Sequence, residues 1–177
     1  IRTSLLESRL IHGNKALAQN LENELWEKVF EKSKSEFVEA KLLERTRRLK
    51  KHGGQRYVLE PNIKEGKGGL RDLQSLFWIA KYVRGVKSVS SLVNLGVFTK
   101  TEFDDFQRAE EFLWTIRIHL HLISKRAMDQ LTFDLQVEIA ERMGFSDSLG
   151  RRAVEYFMQT YFTHATKVGE FTRIILT

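Results

Sequence analysis

Along most of this chain apolar residues return every three or four positions, the step that lays them on one face of an α-helix. Leu17, Leu21, Leu25 and Val29 predict a helix over Lys15 to Lys32. Ser33-Lys34-Ser35-Glu36 has the form of a capping box and opens a helix to about His52, with Phe37, Ala40 and Leu43 on its apolar side and Gly53-Gly54 ending it. Leu73, Leu76, Phe77, Ala80 and Val83 share one face of a helix from Leu70 to Val83. Thr99-Lys100-Thr101-Glu102 caps the longest helix, which runs to about Lys125 behind a stripe from Phe103 and Phe106 through Leu113 to Ile123. Phe133 to Met143, stopped by Gly144, and Arg151 to Leu176 complete the long elements. Two shorter helices are expected, one opened by Ser4-Leu5-Leu6-Glu7 and stopping near Gly13, the other from Ser88 to Leu95. Gln55 to Gly69 is the one long irregular stretch; Tyr57-Val58-Leu59 within it has strand character but no partner strand in the sequence. The pattern predicts an all-α fold: a single helical bundle of about seven helices with one long Gly-rich loop, forming one domain over residues 1–177.

Composition narrows the function. The chain has no Cys, which removes disulfides, thiolate metal sites and thiol catalysis and fits a reducing compartment. No apolar run approaches a membrane-spanning length and no signal peptide is visible. Because the sequence opens on Ile1 rather than Met, it reads as a piece of a longer protein.

The net charge of +6 is concentrated in one place. Arg45, Arg47, Arg48, Lys50, Lys51, Arg56, Lys64, Lys67 and Arg71 face only Glu60 and Glu65 over the same segment, a local +7, and the remainder of the chain is at −1. Such a concentration suits a polyanionic ligand. It equally suits a solvated helix face followed by a loop.

Self-sufficient catalytic chemistry is missing. His119 and His121 are two apart and point away from each other on a helix, and no His pair stands at four-residue spacing, so metal binding by this chain is not expected. Asp104-Asp105 falls in a helix first turn, where acids answer the helix dipole. No nucleophile elbow and no Walker sequence is present.

One constellation remains. Glu60-Pro61-Asn62-Ile63-Lys64-Glu65-Gly66-Lys67-Gly68-Gly69-Leu70-Arg71-Asp72 places three glycines and three cations at a helix N-terminus. Glycine lets backbone approach a ligand, and a helix N-terminus offers free N–H groups to phosphate. On that reading Lys64, Lys67 and Arg71 with the Gly68 and Gly69 amides bind nucleotide phosphate, and Glu60, Asn62 and Asp72 are orienting or structural. The competing reading is a glycine turn that sets the angle at which the helix starts, with Arg71 and Asp72 in structural ion pairs.

The segment from Leu59 to Gln74, followed by Trp78-Ile79-Ala80, resembles the signature of the bacterial protein-PII uridylyltransferase/uridylyl-removing family. Ser8 to Asn14, Phe112 to Leu122, Leu131 to Asp134 and Tyr156 to Ala165 are similar to further parts of that family in the same order, so the resemblance runs from about residue 4 to 175. A related Lys-x-Gly-x-Gly-Gly-x-Arg core occurs in glutamine synthetase adenylyltransferase. The family's usual Gly-Pro-Gly-Gly stands here as Gly66-Lys67-Gly68-Gly69, which removes a fixed φ and adds a cation.

The resemblance implies a multifunctional cytoplasmic parent. It would carry a nucleotidyltransferase domain before this helical one, and an HD-type hydrolase and two glutamine-sensing domains after it. It would transfer UMP from UTP to a tyrosine of the PII signalling protein when glutamine is scarce and remove it when glutamine is plentiful. Neither family catalytic motif occurs in these 177 residues, so no catalytic residue is expected here, and Mg²⁺ and UTP belong to the full-length parent. The expected role is closure of the UTP cleft, with Lys64, Lys67 and Arg71 toward the triphosphate. Two alternatives stay open: a docking scaffold for PII or neighbouring domains without nucleotide contact, and, with less support, a nucleic-acid-binding module using Arg45 to Lys51.

Overall fold

The computed structural model describes residues 1–52, 58–86 and 88–176. Among them are eight α-helical segments and no strand: α1 (Arg2–Leu6), α2 (Lys15–Leu25), α3 (Lys34–Lys51), α4 (Leu70–Arg84), α5 (Ser91–Asn94), α6 (Lys100–Ser124), α7 (Phe133–Arg142) and α8 (Ala153–Leu176). The all-α expectation holds. β pairing among these residues is confined to isolated bridges, Asn62 with Gln130 and Ser148 with Arg151.

The long amphipathic helices form where their stripes predict. Thr99 makes the capping box of α6 in both directions: its Oγ1 accepts from the Glu102 N–H, and its own N–H donates to Glu102 Oε2 at 2.7 Å. Phe106, Ala109, Leu113, Ile116 and Leu120 of that helix are buried. Helix α8 is central, with α4, α6 and α7 packed on it.

Helix α4 is buried on two sides. Leu73, Leu76 and Ala80 enter the main core with Leu113, Ile116, Leu120 and Phe157, while Ile79 and Tyr82 join a second cluster with Leu6, Phe30 and Phe37. Tyr82 stacks on Phe37 with ring centroids 3.8 Å apart. This two-sided burial fixes α4, and with it the loop that leads into it.

Three local expectations are corrected. Ser4 lies inside α1, which begins at Arg2 and ends at Leu6, so the capping box is not formed and the following residues to Gly13 are not helical. Ser33 does not cap α3: its hydroxyl is 2.6 Å from the Val29 carbonyl and 2.8 Å from the Tyr82 hydroxyl, and the chain passes from α2 to α3 through a π turn (Trp26–Phe30) and a 3₁₀ turn (Glu31–Ser33). The stripe of α2 is only half covered, with Leu17 68% and Leu21 56% exposed. Gly53-Gly54 and Tyr57 lie outside the described residues, and Val58-Leu59 is irregular.

His164 on α8 gives the core a pH-dependent element. Its Nδ1 is buried without a hydrogen-bond partner among the described residues, and its ring lies 4.6 Å from that of Phe112. Burial, then Lys167 and Arg108, hold the imidazole pKa below its ordinary value against the opposing pull of Asp105. A histidine with a depressed folded pKa stabilises above its unfolded pKa and loses that contribution as pH falls through the folded value. His164→Phe keeps a ring against Phe112 and cannot take up a proton. Its melting temperature is therefore expected to fall less than that of the wild type between about pH 7 and pH 5; parallel curves would refute the assignment.

Candidate functional site

The loop before α4 is built by its own backbone. Asn62 Oδ1 accepts from the N–H groups of Lys64 (3.1 Å) and Glu65 (2.7 Å), closing an Asx turn, and Gly66 N–H donates to the Asn62 carbonyl at 2.9 Å. The Ile63 side chain anchors the loop in the main core. Glu60 Oε1 accepts from the Phe133 N–H at 2.8 Å, at the start of α7. Pairing of Ile63 N–H with the Asp129 carbonyl and of Leu131 N–H with the Pro61 carbonyl holds the loop to the segment after α6.

Asp72 is the electrostatic centre of this assembly. Its side chain is 0% exposed and takes Arg45 through Nε (2.9 Å) and Nη2 (3.2 Å), Arg48 through Nη2 (2.5 Å) and the Gly68 N–H (2.9 Å). Arg48 also donates through Nη1 to the Glu65 carbonyl at 2.7 Å. Two residues of the basic run therefore clamp α3 to α4.

The amides expected to cradle phosphate are already engaged. Gly68 N–H donates to Asp72 Oδ2, Gly69 N–H to the Gly66 carbonyl, Leu70 N–H to the Ile63 carbonyl and Arg71 N–H to the Lys64 carbonyl. The α4 N-terminus is satisfied from within the chain, so in this conformation these amides leave no free N–H for an anion.

Those side chains divide into two groups. Lys64 and Arg71 line a cleft of about 500 Å³ between α4 and α6, a size typical of small-molecule sites. Lys67 lines a separate pocket of about 220 Å³ with His52, Glu60 and Tyr161. The expected trio is not one cluster, because the turn at Gly66 to Gly69 redirects the chain between Lys64 and Lys67.

Helix α6 supplies residues that the motif did not contain. Arg117, Trp114 and Glu110 line the same cleft at helical spacing, opposite Trp78 and Phe77 of α4. The Arg117 guanidinium lies 5.1 Å from the Trp114 ring centre, and that of Arg71 lies 5.9 Å from the Trp78 ring centre. Each wall thus carries an arginine–tryptophan pair. The signal for the α6 residues was present in the sequence, because Trp114 falls off the apolar stripe, on a polar helix face where burial does not account for it.

Acids orient these cations. Arg71 donates to Gln74 at 2.6 Å and meets Glu65 at 3.4 Å, while Arg117 donates through Nε to Asp129 at 2.7 Å. Asp129 also lies 3.1 Å from His121 Nε2 and 4.0 Å from Lys64 Nζ. Burial pushes the Asp129 carboxyl up, but hydrogen bonds from Arg117 and His121, with Lys64 nearby, leave it below the usual carboxylate range. Glu110 differs. Burial raises its pKa, and among the described residues it has no hydrogen bond or ion pair.

The chain is 60% identical over 176 residues to the bifunctional uridylyltransferase/uridylyl-removing enzyme of Cereibacter sphaeroides, covering 99% of this chain and 19% of the relative. It is 58% identical over 177 residues to the enzyme of that name from Ruegeria pomeroyi, covering 100% of this chain and 19% of the relative. The Rhodospirillum rubrum enzyme is 50% identical over 174 residues, covering 98% of this chain and 19% of the relative. The chain therefore spans about a fifth of the length of these curated relatives. The sequence model of the GlnD PII-uridylyltransferase family matches residues 36–176, and the chain belongs to that family. No solved structure matches it. No helix among the described residues is long and apolar enough to cross a membrane.

Proposed function

We propose that this chain is the helical domain of a cytoplasmic PII uridylyltransferase/uridylyl-removing enzyme and supports transfer of UMP from UTP to a tyrosine of PII, within glutamine signalling. Lys64 and Arg71 meet the phosphates of UTP and stabilise charge on the departing pyrophosphate. The observation that carries this is the convergence of Lys64 and Arg71 on one cleft, held in place by acids that leave donors over. Lys67 and the Gly68 and Gly69 amides have no part in that contact in this conformation. Asn62 and Asp72 act through the loop they hold.

Mg²⁺ is implied by the family resemblance, and the residues present do not fit it. Glu7 and Glu110 line the cleft with three cations, and no three His or carboxylate side chains come together as metal ligands among the described residues. No step here is derived through the ion; the chain's contribution is cationic side chains.

The test is made on the full-length enzyme carrying Lys64→Ala with Arg71→Ala. UMP transfer to PII is expected to fall about a hundredfold while removal of UMP from modified PII persists. Undiminished transfer would overturn the reading.

A second reading has one observation behind it. The groove of about 970 Å³ along α2, lined by Leu17 and Leu21 among others, suits packing against another domain or PII. Loss of PII affinity with unchanged KM for UTP in the full-length enzyme carrying Leu17→Asp with Leu21→Asp would favour it. A nucleic-acid role loses support, because Arg45 and Arg48 are engaged with Asp72.

A further inference from the structure

We propose that the cleft between α4 and α6 recognises the nucleoside of its ligand as well as the phosphates, with Trp114 stacking on the base and Glu110 accepting from a sugar hydroxyl or base N–H group. The proposal rests on the reading that Lys64 and Arg71 meet phosphate, and it adds three residues from α6 to that site.

The argument is one of complementary demands. Lys64, Arg71 and Arg117 at the cleft carry more N–H donors than Glu65 and Asp129 take up, so they can receive an anion. Trp114 stays 43% exposed at the cleft, although a tryptophan gains more from burial than almost any other side chain. Arg117 packed at 5.1 Å restricts its ring, so a flat partner would meet a platform that is already ordered.

Glu110 is one turn before Trp114 and half-buried in the same cleft. A carboxylate only accepts hydrogen bonds, and burial alone acts on this one, with no donor among the described residues. A carboxylate withdrawn from water without a donor is costly unless a ligand brings one. Inorganic polyphosphate answers only the cations. A nucleoside phosphate answers all three demands: an anionic tail, a flat ring and a hydroxyl or N–H donor.

The experiment uses the full-length enzyme and two probes, UTP and inorganic tripolyphosphate as its competitor. Glu110→Leu and Trp114→Leu are each expected to raise KM for UTP about tenfold, the loss of a hydrogen bond to a charged acceptor or of one stacked base. Ki for tripolyphosphate should stay within about twofold, since its contacts are the cations. Trp114→Phe, which keeps a ring, should return KM to within about threefold of the wild type. An unchanged KM, or KM and Ki rising together, overturns the nucleoside contact. Failure of the phosphate reading shows separately, as undiminished transfer in the Lys64→Ala/Arg71→Ala enzyme.

Discussion

Asp72→Ala is expected to destabilise the fold by about 3–5 kcal/mol, the cost of leaving a buried charge without its partner. The carboxylate is fully buried, and its removal strands Arg48, whose side chain is 9% exposed, and Arg45 at 23%. Glu65 offers Arg48 only a longer contact at 3.7 Å, so the loss is poorly compensated. The Gly68 N–H loses its acceptor as well. Against a typical total stability of about 5–15 kcal/mol, this is enough to release α3 from α4 or to unfold the chain. Asp72→Asn preserves shape and one acceptor, and should lose roughly half as much. Denaturant titration of wild type and both variants checks the order; a loss below about 1 kcal/mol for Asp72→Ala would show that the three partners find other acceptors. Because Asp72 holds the loop that carries Lys64, the proposed phosphate contact predicts weaker UMP transfer by the full-length enzyme carrying Asp72→Asn, even where folding survives.

Asp72 also shows what the sequence made legible. Its place in a cationic glycine motif was plain, yet its partners lie 27 and 24 residues earlier, and no local spacing encodes a pairing of that range. Helices α4, α6, α7 and α8 were readable within a residue or two, because each carries an apolar stripe that enters the main core. The start of α3 at Ser33 was readable too, but the use of the Ser33 side chain was not, because a serine followed by Glu36 satisfies a local rule while the Val29 carbonyl and Tyr82 hydroxyl compete for the same hydroxyl. Leu17 and Leu21 expose a different limit, since periodicity reports that a face is apolar and says nothing of what covers it. In the site, residue types pointed to phosphate chemistry, but the division of Lys64 and Arg71 from Lys67 depends on how a turn redirects the backbone. Trp114, Arg117 and Glu110 come from a helix some forty residues away, and only the packing of α6 beside α4 brings them in.

Gly68→Ala is expected to lose about 2–5 kcal/mol, by two effects that a control can separate. Gly68 has φ +78°, a left-handed conformation that costs a residue with a Cβ about 1–2 kcal/mol. A methyl group there would also lie 2.8 Å from Cα of Ala165 and closer still to its carbonyl oxygen. That obstacle is the backbone of α8, the central helix, which has no rotamer to change, so the overpacking adds about 1–3 kcal/mol. Gly144 has nearly the same φ, +80°, with open space where its Cβ would stand. Gly144→Ala therefore carries the conformational cost alone, about 1–2 kcal/mol. A difference between the two variants measures how tightly the loop is pressed against α8; equal losses would mean that the loop can lift away. The distinction bears on function. A loop locked to α8 on one side and to Asp72 on the other holds Lys64 and Arg71 as fixed groups, and under the proposed phosphate contact such cations would stabilise developing charge without reorganising at the moment of reaction.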